Sequence, residues 1–139
     1  MRELKFRAWD DKSKKMWTPE VICFQGDKAK AGLVMTPAQA KKGIKEGWFY
    51  DNPLMQYTGL HDKNGKEIYE GDILKWPKSI LSSEQIGLVV WKCNEIGNGF
   101  FCVNEYISWN LNTDCPAKII GDIYENPDIF KESHERLPK

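Results

Sequence analysis

Near the start of the chain, Arg7, Trp9, Lys12, Lys14, Lys15 and Trp17 interleave basic groups with indole rings. Cations of this kind hold phosphates while the rings stack on exposed bases, which is the chemistry of single-stranded nucleic-acid binding. A second reading has the tryptophans packing inward and the lysines decorating a solvated turn. It is favoured, because tryptophan usually finds burial.

A second candidate set is acidic. Glu70 and Asp72 are two residues apart, a spacing that puts both on one face of an extended strand. Asp122 joins them if the segments Gly71–Pro77 (GDILKWP) and Gly121–Pro127 (GDIYENP), which share the pattern GDIxxxP, are neighbours. Three carboxylates together suit a divalent ion or an acid and base pair. The simpler reading is that Gly71, Asp72, Gly121 and Asp122 are structural turn residues, each aspartate bonding its own turn backbone, with each turn feeding a strand that its proline ends. The run DKNGKE shares a fragment with calcium loops but lacks their other ligand positions, so Asn64 and Gly65 are read as the tight turn of a hairpin, both suiting positive φ.

Nucleophilic catalysis finds little support. The two histidines, His61 and His134, lie beside a turn and in the tail, far from any Gly-framed serine. The four cysteines, Cys23, Cys93, Cys102 and Cys115, contain no CxxC pair of the kind structural zinc sites use. Cys93 and Cys102 flank an expected hairpin, but reduced strand cysteines of a cytoplasmic protein are the preferred reading over a disulfide between them. No catalytic residue, metal ligand or cofactor is expected.

These residues need a scaffold, and the composition supplies one. A chain of 139 residues with 41 % hydrophobic and 12 % aromatic side chains can bury a core. Twenty basic and twenty acidic residues cancel, which removes global basicity as an argument for nucleic acid. The charge is nevertheless divided: residues 1–50 net +5 and the remainder −5. Unlike halves attract one another between copies. No apolar run reaches the length of a membrane span, and the expected location is cytoplasmic.

Alternation of Leu4, Phe6 and Ala8 with Lys5, Arg7 and Trp9 predicts a half-buried strand, with a second extended run from Met16 to Phe24 broken at Pro19. Thr36 and Pro37 open a predicted helix that Gly47 closes. From Leu54 onward, five or six short strands follow in quick succession, a pattern that points to a small closed barrel. Trp48, Phe49, Tyr50 and Tyr57 fall at the expected junction of the two parts. Asn126 and Pro127 predict one helical turn before a frayed tail.

Three blocks, RELKFRAWD, LMQYTGLHDKNGKEIYEGDIL and KIIGDIYENPD, resemble the YopX family of small phage and prophage proteins. The resemblance implies an N-terminal α+β portion, a C-terminal barrel similar to SH3-like folds, and self-association; it brings no catalytic residue with it. The expected fold is therefore α+β but mainly β: a hairpin plus one helix over residues 1–56, an SH3-like barrel over 57–130, and a tail over 131–139. The expected function is a non-enzymatic, phage-encoded binding or assembly module forming homo-oligomers, with a protein partner possible and no membrane. The alternatives are a single-stranded nucleic-acid-binding accessory protein and, behind it, a metal-dependent enzyme on the carboxylates.

Overall fold

The computed structural model describes residues 3–11, 13–19, 21–24, 32–35, 53–80, 83–94, 97–112 and 114–135. The helix expected between Thr36 and Gly47 and the aromatic run 48–50 lie outside them, as do Lys12 and the last four residues. The chain divides into two compact units, one of residues Lys5–Gln56 and one of Tyr57–Lys139 with Met1–Leu4. Among the described residues, no helix is long and apolar enough to cross a membrane.

In the first unit, β1 (Phe6–Asp10) and β2 (Lys15–Trp17) form the expected hairpin, with Asp10 opposite Lys15. Lys14 takes the left-handed region, φ 55°, to turn the chain. The first residues of β5 (Leu54–His61) pair with the other edge of β1, Arg7 opposite Met55. Alternation assigned β1 one buried face, yet Ala8 and Trp9, on opposite faces, are both buried. A second hairpin joins β3 (Val21–Phe24) to β4 (Gly32–Met35). Strand β4 was not expected: GLVM is four residues long, too short to show a period.

The second unit is built on a curled five-stranded antiparallel sheet. Its strands are β7 (Asp72–Trp76), β8 (Gln85–Asn94), β9 (Gly97–Val103), β10 (Ser108–Asn110) and β11 (Lys118–Asp122), in the order β10-β9-β8-β7-β11. Strand β6 (Glu67–Tyr69) pairs with the end of β5. The β8–β9 ladder runs on to Asn94 opposite Gly97, so the connection is shorter than the loop NEIGNG suggested.

Cross-strand register decides which side chains meet. Leu74 lies opposite Ile119, Val89 opposite Cys102, and Cys102 opposite Trp109. This face, with Ile68, Cys115 and Ala117, forms the core. At roughly 25 cal/mol per Å² of apolar surface, burying a Leu or Ile side chain contributes about 1.5–3 kcal/mol, the main force holding the sheet curled around it.

Within strand β5 Gly59 takes φ 84°, and the register against β6 shifts between Tyr57 and His61. Thr58 covers the defect: its hydroxyl donates to the Ile68 carbonyl at 2.8 Å and accepts the Leu60 amide at 3.2 Å. A bulge leaves backbone groups without ladder partners, and here a side chain supplies them.

Helix α1 (Pro127–Glu135) is longer than the single turn expected and takes in the first residues assigned to the tail. Pro127 at the first helical position, Asp128 in the first turn and the apolar pair Ile129 and Phe130 favour its continuation, and it packs against β8. The oxygen of the Asn126 side chain turns back to accept the Asp122 amide at 3.4 Å. It thereby occupies the space beside Gly121, where an added Cβ would lie 2.6 Å from Asn126 Oδ1 and 3.0 Å from its Cβ.

Gly121→Ala should therefore cost about 1–3 kcal/mol through overpacking. Gly99→Ala, where an added Cβ meets nothing within 4 Å, should stay within about 0.5 kcal/mol of the parent. Urea unfolding of the two variants checks this; equal midpoints would contradict it.

Candidate functional site

Of the six candidate residues of the N-terminal hairpin, Lys12 lies outside the described residues, and the other five do not share one surface. In the register Ala8 opposite Trp17 and Trp9 opposite Met16, Trp9 projects to one face with Arg7, and Trp17 to the other with Lys15. Trp9 is only 5 % exposed. The Trp17 ring nitrogen is buried with no hydrogen-bond partner. Lys14, at the exposed tip, pairs with Asp11, whose carboxyl is held below its ordinary range chiefly by that hydrogen bond and charge. An aromatic platform flanked by free cations is thus not assembled among the described residues of this hairpin.

The acidic set is brought together in part. Asp72 and Asp122 are direct cross-strand partners, and the Ile123 amide donates to the Gly71 carbonyl at 3.0 Å, so the two GDI segments are neighbours. Both carboxylates are buried and turned to the backbone. Asp72 accepts the Tyr69 amide at 2.8 Å, and Asp122 accepts those of Tyr124 and Glu125 at 2.9 Å each. Glu70 departs from expectation, because it sits in the turn before β7, so the two-residue spacing does not put it on a strand face with Asp72. Burial first, then the charges of Asp122 and Glu70, push the Tyr124 phenol upward. Among the described residues, no three His, Cys, Asp or Glu side chains are placed to hold a metal ion.

The two GDI segments also differ in what they do. Gly71, at φ 83°, turns the chain into β7, which ends before Pro77. Gly121 and Asp122 instead end β11, and their proline opens a helix rather than ending a strand. The shared letters reflect a shared use of aspartate as a turn acceptor, not a repeated unit.

A carboxylate that spacing did not single out accepts three backbone amides. Asp62 is 6 % exposed. Its Oδ1 accepts the amides of Asn64 and Lys66 at 2.9 Å each, closing the hairpin turn, while Oδ2 accepts the amide of Ile119 on β11 at 3.0 Å. Next to it, the Lys63 amide donates to Ala117 O at 3.0 Å. The turn is a four-residue one, with Gly65 donating to Asp62 O, and only Gly65 (φ 81°) has positive φ; Asn64 does not share it. Asp at the first turn position, bonding forward to the backbone, explains this geometry better than the Asn-Gly pair alone. Burial acts to raise the Asp62 carboxyl, but the amides of Ile119, Lys66 and Asn64 outweigh it and hold the group below its ordinary value.

Cys93, Cys102 and Cys115 are free thiols; Cys93 lies opposite Asn98 and Cys102 opposite Val89, so the strand register keeps the first two apart. Burial pushes the thiols of Cys102 and Cys115 upward, which suppresses the thiolate that nucleophilic chemistry needs. His61 is exposed, with Nε2 3.5 Å from the Tyr57 hydroxyl. Tyr57, expected at a junction, is buried with its ring 5.4 Å from that of Tyr69.

An apolar recess of about 210 Å³ is lined by Trp76, Gln85, Ile107 and Trp109. Trp76 and Trp109 meet edge to face at 4.8 Å, and Ile107 is 46 % exposed.

These features define a mainly β protein with a single short helix among its described residues. A sequence model of the YopX protein family matches residues 5–131, and the chain belongs to that family. The fold is also similar to the crystal structure of protein EF1440 from Enterococcus faecalis. The TM-score is 0.58 at 24 % identity, over 94 % of this chain and 99 % of that one. No curated protein matches the chain.

Asp62→Asn should cost about 2–3 kcal/mol at pH 7, since hydrogen bonds to a charged acceptor contribute about 1.5–3 kcal/mol. The depressed folded pKa means that this stabilisation is present above the unfolded value, about 3.9, and is lost as pH falls through the folded one. Urea midpoints of parent and variant should therefore converge below about pH 4. A gap that persists at acid pH would contradict the assignment.

Proposed function

We propose that the protein is a non-enzymatic binding or assembly module of a phage or prophage, built on a small SH3-like barrel and working in the cytoplasm. One observation carries the reading. The side chains best suited to chemistry, Asp62, Asp72 and Asp122, are buried acceptors for backbone amides, and a carboxylate so engaged gives up that role if it takes a metal or a proton. The seven strands packed into residues 54–122 support the barrel, with β11 drawn toward the β5–β6 turn by Asp62 and Lys63. Membership of the YopX family supports the phage context.

Self-association is part of the same proposal. The +5 and −5 portions of the chain favour contact between unlike parts of neighbouring copies. Exposed Trp91, Tyr106 and Ile107, the last beside the tryptophan recess, offer apolar surface for a second copy.

Thermal melts should be indifferent to millimolar Mg²⁺, Mn²⁺ or Ca²⁺, because a ligand that binds only the folded state raises the melting temperature. Light scattering at low salt should give a mass above the 16.1 kDa of one chain, decreasing as salt rises. A metal-dependent shift would favour the enzyme reading, and a monomer at every concentration would remove the assembly.

A further inference from the structure

The β7–β11 ladder places Lys75 directly opposite Lys118. Side chains so paired have Cβ atoms about 4.5–5.5 Å apart, and like charges there oppose folding. Lys63 joins them: the three lysines line one recess of about 330 Å³ with Pro77, Glu84 and Ile120. The backbone bond from the Lys63 amide to Ala117 O, one residue before Lys118, fixes that side of the recess. Glu84 neutralises one ammonium, pairing with Lys75 at 3.0 Å. Among the described residues, neither Lys63 nor Lys118 has an ion-pair partner. The recess therefore carries a net charge of +2 in a portion of the chain, residues 51–139, that nets −5.

We propose that this recess binds a phosphate dianion, of the kind a phosphomonoester carries. Such a group has a charge of about −1.5 to −2 at pH 7 and several acceptor oxygens, which match two free ammoniums and a third held by Glu84. A bound dianion relieves the repulsion between Lys75 and Lys118 that the unliganded ladder bears. A phosphodiester, with one charge, leaves half of it uncompensated. The inference rests on the binding-module reading and names a ligand class for it.

Isothermal titration with inorganic phosphate, a nucleoside 5′-monophosphate and a dinucleoside monophosphate, whose one phosphate is a diester, tests the site. The first two should bind, more weakly as salt rises, and the diester at least several-fold more weakly than either. A monoester that binds much more tightly than free phosphate identifies a phosphorylated molecule as the ligand; equal affinity identifies the phosphate ion itself, and both fit the site. Lys118→Gln should lose about tenfold in affinity yet melt no lower than the parent without ligand, because it removes a like-charge contact. Lys92→Gln, on β8 where Lys92 bonds Ser108, should bind as the parent does. No binding of phosphate or monoester at about 10 mM, or unchanged affinity in Lys118→Gln, overturns the site and leaves the module reading standing. Release of phosphate from a chromogenic monoester would instead overturn the non-enzymatic reading, and this inference with it.

Discussion

The Asp62 carboxylate is shared between two parts of the backbone that no ladder joins directly. One oxygen organises the turn between β5 and β6; the other takes the amide of Ile119 on the outer edge of the five-stranded sheet. An edge strand leaves amides and carbonyls without partners, an invitation to pair with another chain. Here the Ile119 amide of β11 is met by a side chain and the Lys63 amide bonds Ala117 O just before the strand, so the hairpin is held against the sheet without a continuous row of strand hydrogen bonds. The buried, ionised acceptor is tolerable because three amides solvate it.

The same device recurs. Asp72 and Asp122, opposite each other on β7 and β11, each bind the amides of their own turn, and Asn126 closes the second turn onto Gly121. Short strands linked by tight turns leave many backbone donors outside ladders, and in this chain aspartate satisfies them. Beside these turns, Lys63, Lys75 and Lys118 line a cationic recess.

Much of the local structure was legible from residue types. The turn at Gly65, the strand that Pro77 follows and the helix opening at Pro127 rest on backbone preferences that act within a few residues. What escaped was long-range. The run HDKNG marks a turn but does not say that Asp62 reaches Ile119, fifty-seven positions away. Nor does alternation reveal that both faces of β1 are covered, since it reads only whether neighbours differ. The separation of Trp9 from Trp17 could have been read once the Asp10–Lys15 pairing was known, because register fixes which residues share a face. The lysine recess depends likewise on the β7–β11 register, which a bulge between Ile119 and Gly121 shifts.

Amide hydrogen exchange in the parent and in Asp62→Ala tests the shared acceptor most directly. If Asp62 joins hairpin to sheet edge, the amides of Asn64, Lys66 and Ile119 lose protection together, while Leu74 and Val89 at the sheet centre keep theirs. Protection at Ile119 that survives the loss of the carboxylate would contradict it.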